Sequence, residues 1–134
     1  MVLVDTNIVA QLLLAGPLAE PIRSLYAADP DWRTEPLLYS ELTNVLTTAM
    51  RLQALPLARA QRAVGTAHAL LDAGLCPTDD ADVLALAAKF ACSGYDARFL
   101  CAAMLLKTRL VTEDAALRRK APELTCSLAQ ALAA

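Results

Sequence analysis

The stretch "MVLVDTNIVA", residues 1–10, decides the fold and poses the first chemical question. Val2–Val4 is a short apolar run typical of a buried strand, and the apolar pattern resumes at Ile8. Asp5 stands between the two. A lone carboxylate in apolar surroundings costs on the order of several kcal/mol unless it is paired, hydrogen-bonded or protonated. The position of Asp5 therefore needs either a structural or a chemical explanation.

Short apolar runs alternate with helical segments along the rest of the chain. We predict strands at Val2–Val4, Trp32–Thr34, Leu75–Pro77, "RLVT" (109–112) and "ELTC" (123–126). We predict helices from Thr6 to about Leu14, Pro17 to Ala28, Pro36 to Gln53, Pro56 to Gly74, and over 78–94, 95–107 and 113–120, with a terminal helical turn. This alternation indicates an α/β fold with a central parallel sheet of about four or five short strands flanked by α-helices.

The composition is that of one globular domain spanning residues 1–134. Hydrophobic residues make up 57% of the chain, which is enough to build a substantial core. No apolar run reaches the ~20 residues that cross a bilayer. No basic segment precedes the first strand, so we expect no signal peptide and a cytoplasmic protein without membrane contact. The cysteines show no metal-binding spacing and are expected to be free thiols: Cys76, Cys92, Cys101 and Cys126.

Four acidic residues occupy positions that are unusual for acids. Asp5 follows the first strand and Asp114 follows "RLVT"; each can alternatively be explained as a helix N-cap. Asp96 begins a helix, where the dipole favours a negative charge. Glu41 falls in register with the apolar stripe formed by Leu38, Leu42, Val45, Leu46 and Ala49, and the alternative for it is an ion pair with a nearby arginine.

Taken together, these four acids point to a metal site. Three of them lie at the carboxyl ends of strands or at the helix starts beside them, and those ends share one edge of an open α/β sheet, where ligands bind. Carboxylates gathered there would repel one another. A hard divalent cation is the simplest remedy, because carboxylate oxygens are its natural ligands.

Three segments resemble the PIN-domain family, and within it the VapC-type toxins of toxin–antitoxin pairs. "VLVDTNIVA" resembles the opening strand and first acid of the family, and "YSELTNVL" resembles its helical glutamate with an asparagine three residues on. "GYDARFLCAAMLLKTRLVTEDAAL" resembles the third acid, the T-x-D strand end and the fourth acid. The resemblance covers essentially the whole chain, which departs from the family pattern around Arg98 and in "LRRK" after Asp114.

The resemblance implies a PIN-like fold and a Mg²⁺-dependent endoribonuclease in which Mn²⁺ can substitute. It implies Asp5, Glu41, Asp96 and Asp114 as the catalytic acids, with Asp5, Asp96 and Asp114 holding metal. The residues implied to support them are Thr6, Asn7, Asn44 and Thr112. It further implies an RNA substrate, a homodimer and a cognate antitoxin, which would dock as an amphipathic segment against the helices over 17–28 and 37–53.

The net charge of −2 argues weakly against a nucleic-acid partner. Without the four site acids, however, the chain carries 12 basic and 10 acidic residues. Arg98, Arg118 and Arg119 are candidate RNA contacts, and the alternative for the run 118–120 is a solvated helix end whose cations suit the dipole.

Other classes of protein fit less well. A haloacid-dehalogenase-like phosphatase needs a second aspartate two residues after the first, and position 7 is Asn. A phospho-receiver module needs paired acids near its first strand, which are absent. His68, the single histidine, is expected to be an ordinary helix residue. Two alternatives stay open: a PIN-type nuclease of RNA processing or turnover without a toxin role, and a catalytically silent interaction domain of the same fold.

Overall fold

The computed structural model describes residues 1–134 as a four-stranded sheet surrounded by eight α-helices. In chain order the elements are β1 (Val2–Val4), α1 (Thr6–Leu13), α2 (Ala19–Ala28), β2 (Trp32–Arg33), α3 (Leu37–Leu52), α4 (Leu57–Leu71), a 3₁₀ turn (Asp72–Gly74), α5 (Asp80–Phe90), α6 (Gly94–Leu106), β3 (Leu110–Val111), α7 (Ala115–Lys120), β4 (Thr125–Cys126) and α8 (Leu128–Ala133). The predicted α/β class is confirmed.

The sheet order is β2-β1-β3-β4, and every pair of neighbouring strands is parallel. Leu3 pairs with Arg33 on one side and Leu110 on the other, so β1 is held between β2 and β3. Leu3 and Val4 are fully buried in the core. Because the strands are parallel, their carboxyl ends meet at one edge, and Asp5 is the first residue beyond the end of β1.

The sheet has four strands, at the lower end of the predicted range. The segment predicted as a strand at Leu75–Pro77 makes only a single bridge, between Leu75 and Thr34. The backbone amide of Thr34 donates to the carbonyl of Gly74 at 3.1 Å, and the amide of Cys76 donates to the carbonyl of Thr34 at 2.8 Å. These two bonds guide the chain beside β2 without extending into a ladder.

Two helix ends differ from the prediction. The helix predicted over 78–94 ends at Phe90, and Gly94 instead opens α6, because the Ser93 hydroxyl caps α6 by accepting from the amide of Asp96. The helix predicted to run to Gly74 tightens into the 3₁₀ turn after Leu71. Val45, placed by its spacing on the buried stripe of α3, is 37% exposed.

The Ser93 cap also sets where α6 begins relative to the sheet.

None of the helices combines the length and the apolar character that crossing a bilayer would require. The four cysteines are free thiols in this structure.

We predict opposite stability effects for alanine at two glycines. A Cβ at Gly74 would lie 2.1 Å from the carbonyl oxygen of Trp32, a backbone atom that cannot swing away. Gly74→Ala should therefore lower the free energy of unfolding by about 1–3 kcal/mol, as overpacking does. The free energy is measured by urea denaturation.

Gly65→Ala is the matched control. Gly65 lies inside α4 and a Cβ there would meet no atom within 4 Å. Alanine should raise the free energy of unfolding by about 0.5–1 kcal/mol, because it is the better helix former. Equal effects of the two changes would contradict the close approach of Gly74 to β2.

Candidate metal centre

A pocket of about 360 Å³ opens at the carboxyl edge of the sheet. All four acids singled out in the sequence line it, although they come from four separate segments of the chain. The lining residues are Asp5, Thr6, Asn7, Glu41, Asp96, Phe99, Leu110, Glu113, Asp114 and Leu117. The fold therefore brings these four acids to one pocket.

Asp5 is the most constrained of the four. It is the N-cap of α1, and its Oδ1 accepts from the amide of Ile8 at 3.1 Å. Burial raises the pKa of Asp5 to about 6, although the hydroxyl of Thr112 and the Ile8 amide favour the ionised form. The charges of Asp96 and Glu41 contribute to the same rise, by less than burial does. Capping is thus part of the role of Asp5, but it leaves the carboxylate destabilised by its surroundings.

Glu41 is held by the residue that follows Asp5. The hydroxyl of Thr6, which is 9% exposed, donates to Oε1 of Glu41 at 2.7 Å. Thr6 therefore supports Glu41 directly, rather than supporting Asp5. The bond joins the first turn of α1 to α3 and fixes one carboxylate oxygen while leaving the other available. The alternative of an ion pair with arginine is not found at Glu41, because none of the ion pairs involves it.

Asp96 lies half-buried in the first turn of α6. Burial raises its pKa, and repulsion from Asp114 raises it further. The hydrogen bond with Ser93 and the positive charge of Lys120 act in the opposite direction. The negative charge of Asp114 therefore acts on Asp96 across the pocket.

Asp114 is the N-cap of α7 and is exposed. Its Oδ1 accepts from the amide of Leu117 at 3.0 Å, and its own amide donates to the hydroxyl oxygen of Thr112 at 3.1 Å. Thr112 is fully buried at the end of β3. Since its hydroxyl also lowers the pKa of Asp5, Thr112 links two of the acids.

The remaining predicted site residues divide by position. Asn7 is exposed and lines the pocket, whereas Asn44 is exposed on α3 and does not line it. Arg98 faces away and pairs with Asp80 at 2.8 Å. Arg118 donates from Nη1 to the carbonyl of Thr112 at 2.8 Å, so it braces the end of β3. Arg119 is exposed.

Glu113 is a fifth acid in the pocket that the sequence analysis did not single out. Its Oε1 accepts from the amide of Leu128, at the start of α8, at 2.7 Å, and its Oε2 lies 3.8 Å from Arg118. The only signal in the sequence is its place between Thr112 and Asp114 in "VTED". Neighbouring residues of a strand point to opposite faces, so the pattern alone argues against grouping Glu113 with its neighbours.

The electrostatics of the pocket fit a bound cation. None of the four predicted acids forms an ion pair with lysine or arginine, and burial and mutual repulsion raise the pKa of two of them. Carboxylate and hydroxyl oxygens are the donors that Mg²⁺ and Mn²⁺ take. No three acids converge on one point where an ion could sit. Binding of an ion here would therefore require side-chain rotation or bridging waters, which Mg²⁺ commonly retains.

Comparison with known proteins places the chain in a family. The family described as the PIN domain matches residues 2–122. No relative was found among curated proteins. Solved structures also share the fold at low sequence identity, among them the following two.

The first is the crystal structure of PAE2754 from Pyrobaculum aerophilum, with a TM-score of 0.78 and 20% identity over 98% of this chain and 85% of that one. The second is a toxin–antitoxin complex from Klebsiella pneumoniae, with a TM-score of 0.62 and 21% identity over 85% of this chain and 87% of that one. At these identities the likeness concerns the fold alone. The family match spans nearly the whole chain, and this protein therefore belongs to the PIN domain family.

Proposed function

We propose that this chain is a metal-dependent endoribonuclease and the toxin of a toxin–antitoxin pair of the VapC type. PIN domains are generally nucleases, which gives the reaction class. The observation that carries the proposal is the pocket at the carboxyl edge of the sheet, where four acids gather with no cation paired to them.

A phosphodiester and the hydroxide that attacks it are both anionic, so an acidic pocket repels both. A divalent cation supplies the missing chemistry when bound: it neutralises phosphate charge and lowers the pKa of a bound water. In this proposal Asp5, Asp96 and Asp114 hold the cation, which is Mg²⁺ or Mn²⁺. Glu41, fixed through one oxygen by Thr6, completes the acidic set.

Other side chains orient these ligands. The buried Thr112 hydroxyl accepts from the amide of Asp114 and stabilises the ionised form of Asp5. Asn7 lies at the pocket wall, where its amide can reach a carboxylate or the substrate. Arg119 is exposed beyond Asp114 and is proposed to contact RNA phosphates. Arg118 already donates to the Thr112 carbonyl, so in this proposal it supports the backbone beside the site and does not contact RNA itself.

The proposal can be tested by removing single carboxylates. Purified wild-type chain should cleave RNA in Mg²⁺ or Mn²⁺ and lose activity in excess EDTA. Asp5→Asn and Asp96→Asn should each reduce cleavage about 100-fold or more, because each removes a charged ligand whose effect on the barrier is several kcal/mol. Cleavage is followed on a labelled RNA by gel electrophoresis.

The matched control is Asp79→Asn. Asp79 is also a helix N-cap, accepting from the amides of Ala81 and Asp82, but it does not line the pocket. Asparagine caps nearly as well as aspartate, so activity should be retained. Wild-type activity that persists in excess EDTA would contradict the metal mechanism.

Asp5→Asn should not destabilise the metal-free protein. The variant keeps the cap of α1 and relieves the burial and repulsion that raise the pKa of Asp5, so the free energy of unfolding should stay equal or rise by about 1 kcal/mol. Mg²⁺ should raise the melting temperature of the wild type and not of the variant. A marked loss of apo stability would instead support a purely structural cap.

The toxin role draws on the Klebsiella pneumoniae toxin–antitoxin complex, which shares this fold. Induced expression of the chain should arrest growth of a bacterial host, whereas Asp96→Asn should not. Co-expression of a small protein encoded beside the gene should restore growth. A nuclease of RNA processing or turnover, the second candidate, would leave growth unaffected while still cleaving RNA in vitro. Sequencing of cellular RNA ends after induction identifies the target.

We propose two protein partners, each assigned to one part of the surface. The antitoxin segment is proposed to dock against α2 and α3, both of which pack on α1.

The homodimer is proposed to use α5 and α6, whose exposed apolar side chains include Leu84 (70% exposed), Met104 (51%) and Leu105 (56%). Analytical ultracentrifugation of the purified chain should give the mass of a dimer, and a monomer at working concentration would contradict this interface.

A further inference from the structure

The carboxyl end of β2 carries a buried acid that takes no part in the pocket. Glu35 is 3% exposed and is not among the pocket-lining residues. Its Oε2 accepts from the amide of Leu37 at 2.5 Å, and its Oε1 accepts from the hydroxyl of Thr78 at 3.2 Å. Nη1 of Arg98 lies 3.7 Å from the same Oε1. A buried carboxylate with three partners from three segments calls for an explanation.

We infer that Glu35 and Arg98 are positioning residues of the proposed metal site. They would act by fixing the two helix starts that present Glu41 and Asp96. This inference rests on the proposed function, since it gives the pair a role in holding that site's ligands.

Glu35 fixes the start of α3. Leu37, whose amide it accepts, is the first residue of that helix, and Glu41 follows one turn later. The side chain therefore anchors the backbone from which Glu41 projects. The other support of Glu41 is the hydroxyl of Thr6, so the acid is held both at its carboxylate and at the base of its helix.

Arg98 fixes the start of α6. It lies two residues after Asp96, which turns it about 200° around the helix, away from the pocket. Its Nη2 donates to Oδ1 of Asp80 at 2.8 Å, and its Nη1 donates to the hydroxyl of Thr78 at 3.5 Å. The guanidinium thus ties the first turn of α6 to the first turn of α5 and to Glu35.

Thr34, next to Glu35, fixes the backbone that leads into a third acid, Asp5. It is fully buried, and its hydroxyl donates to the carbonyl of Val4 at 2.9 Å. This bond fixes the peptide that leads into Asp5. Three of the four acids of the pocket, Asp5, Glu41 and Asp96, therefore leave from segments tied to the two residues that follow β2.

The test compares metal binding with catalysis. Glu35→Gln keeps the shape and the hydrogen-bonding capacity of the side chain but removes the charge that faces Arg98, and Arg98→Gln removes the other half. Each change should weaken Mn²⁺ binding by about 10-fold or more, as supporting residues of metal sites do. Binding of Mn²⁺ alone is measured by calorimetry on the apo protein.

RNA kinetics should show the same pattern. We expect kcat to fall about 10-fold in each variant with KM for RNA unchanged. The double variant should be no worse than either single one, because both changes break one unit. Arg98→Lys, which keeps the charge, should recover part of the Mn²⁺ affinity.

Asp31→Asn is the matched control. It removes a more exposed arginine–carboxylate pair, in which Nε of Arg33 lies 2.6 Å from Oδ1 of Asp31, next to the opposite end of β2. Mn²⁺ affinity and kcat should match the wild type. Should Glu35→Gln fail to fold, Thr78→Val replaces it, because Thr78 donates to Glu35 and does not line the pocket.

Several results would overturn the inference. A higher KM in Arg98→Gln with unchanged Mn²⁺ affinity, together with wild-type behaviour of Glu35→Gln, would make Arg98 an RNA contact. Lower melting temperatures with unchanged Mn²⁺ affinity would make the pair purely structural. If the wild type itself neither binds Mn²⁺ nor cleaves RNA, the proposed function fails and this inference fails with it.

Discussion

The central position of β1 in an all-parallel sheet is the constraint on which the rest of the structure depends. Leu3 and Val4 are buried between β2 and β3, and this burial fixes the point at which the chain leaves the sheet. Asp5 is the next residue. Because parallel strands end at one edge, Asp5 and Thr112 come within reach of each other, and the helix starts beside them bring Asp96 and Asp114 to the same pocket.

The cost of this arrangement is electrostatic. Burial and neighbouring charges raise the pKa of Asp5 and of Asp96, which means that the folded chain holds both carboxylates in an unfavourable environment. Hydrogen bonds from Thr112 and the amide of Ile8 orient Asp5, and one from Thr6 orients Glu41, without neutralising either acid. The neighbouring carboxylates destabilise the metal-free protein by their repulsion. The same carboxylates would favour binding of a divalent cation, which would relieve that repulsion.

The basic side chains nearest the pocket bind other groups of the chain and not the four acids. Arg118 braces the carbonyl of Thr112, and Lys120 donates to the carbonyl of Ala91. Arg98 is committed to Asp80, Thr78 and Glu35. Each of these side chains supports the backbone around the pocket without entering it. The arginines near the acids are therefore already engaged within the chain, whereas Arg119 is exposed and is the proposed contact for RNA phosphates.

Residue spacing was sufficient for some features and misleading for others. It located Asp5 and Asp114 because each directly follows an apolar strand, Asp96 because it begins a helix, and Glu41 because it falls in register with the apolar stripe of its helix. It misplaced Val45, whose spacing matches the apolar stripe of α3 but whose side chain is 37% exposed. A helix buries only those residues that neighbouring elements cover, and spacing does not show how wide that cover is. Gly94 was expected to end α5, yet the Ser93 cap makes it the start of α6.

The sequence by itself determined the α/β class and the parallel sheet, because strand and helix periods are local signals. It also singled out Asp5, Glu41, Asp96 and Asp114, because an acid at the end of a strand, at a helix start or on an apolar stripe is visible in the local pattern. The tertiary structure alone decided which side chains meet. It placed Glu113 in the pocket, turned Asn44 and Arg98 away from it, and buried Glu35 against Thr78. These outcomes depend on how helices rotate and pack on the sheet, and rotation is set by contacts between residues far apart in the chain.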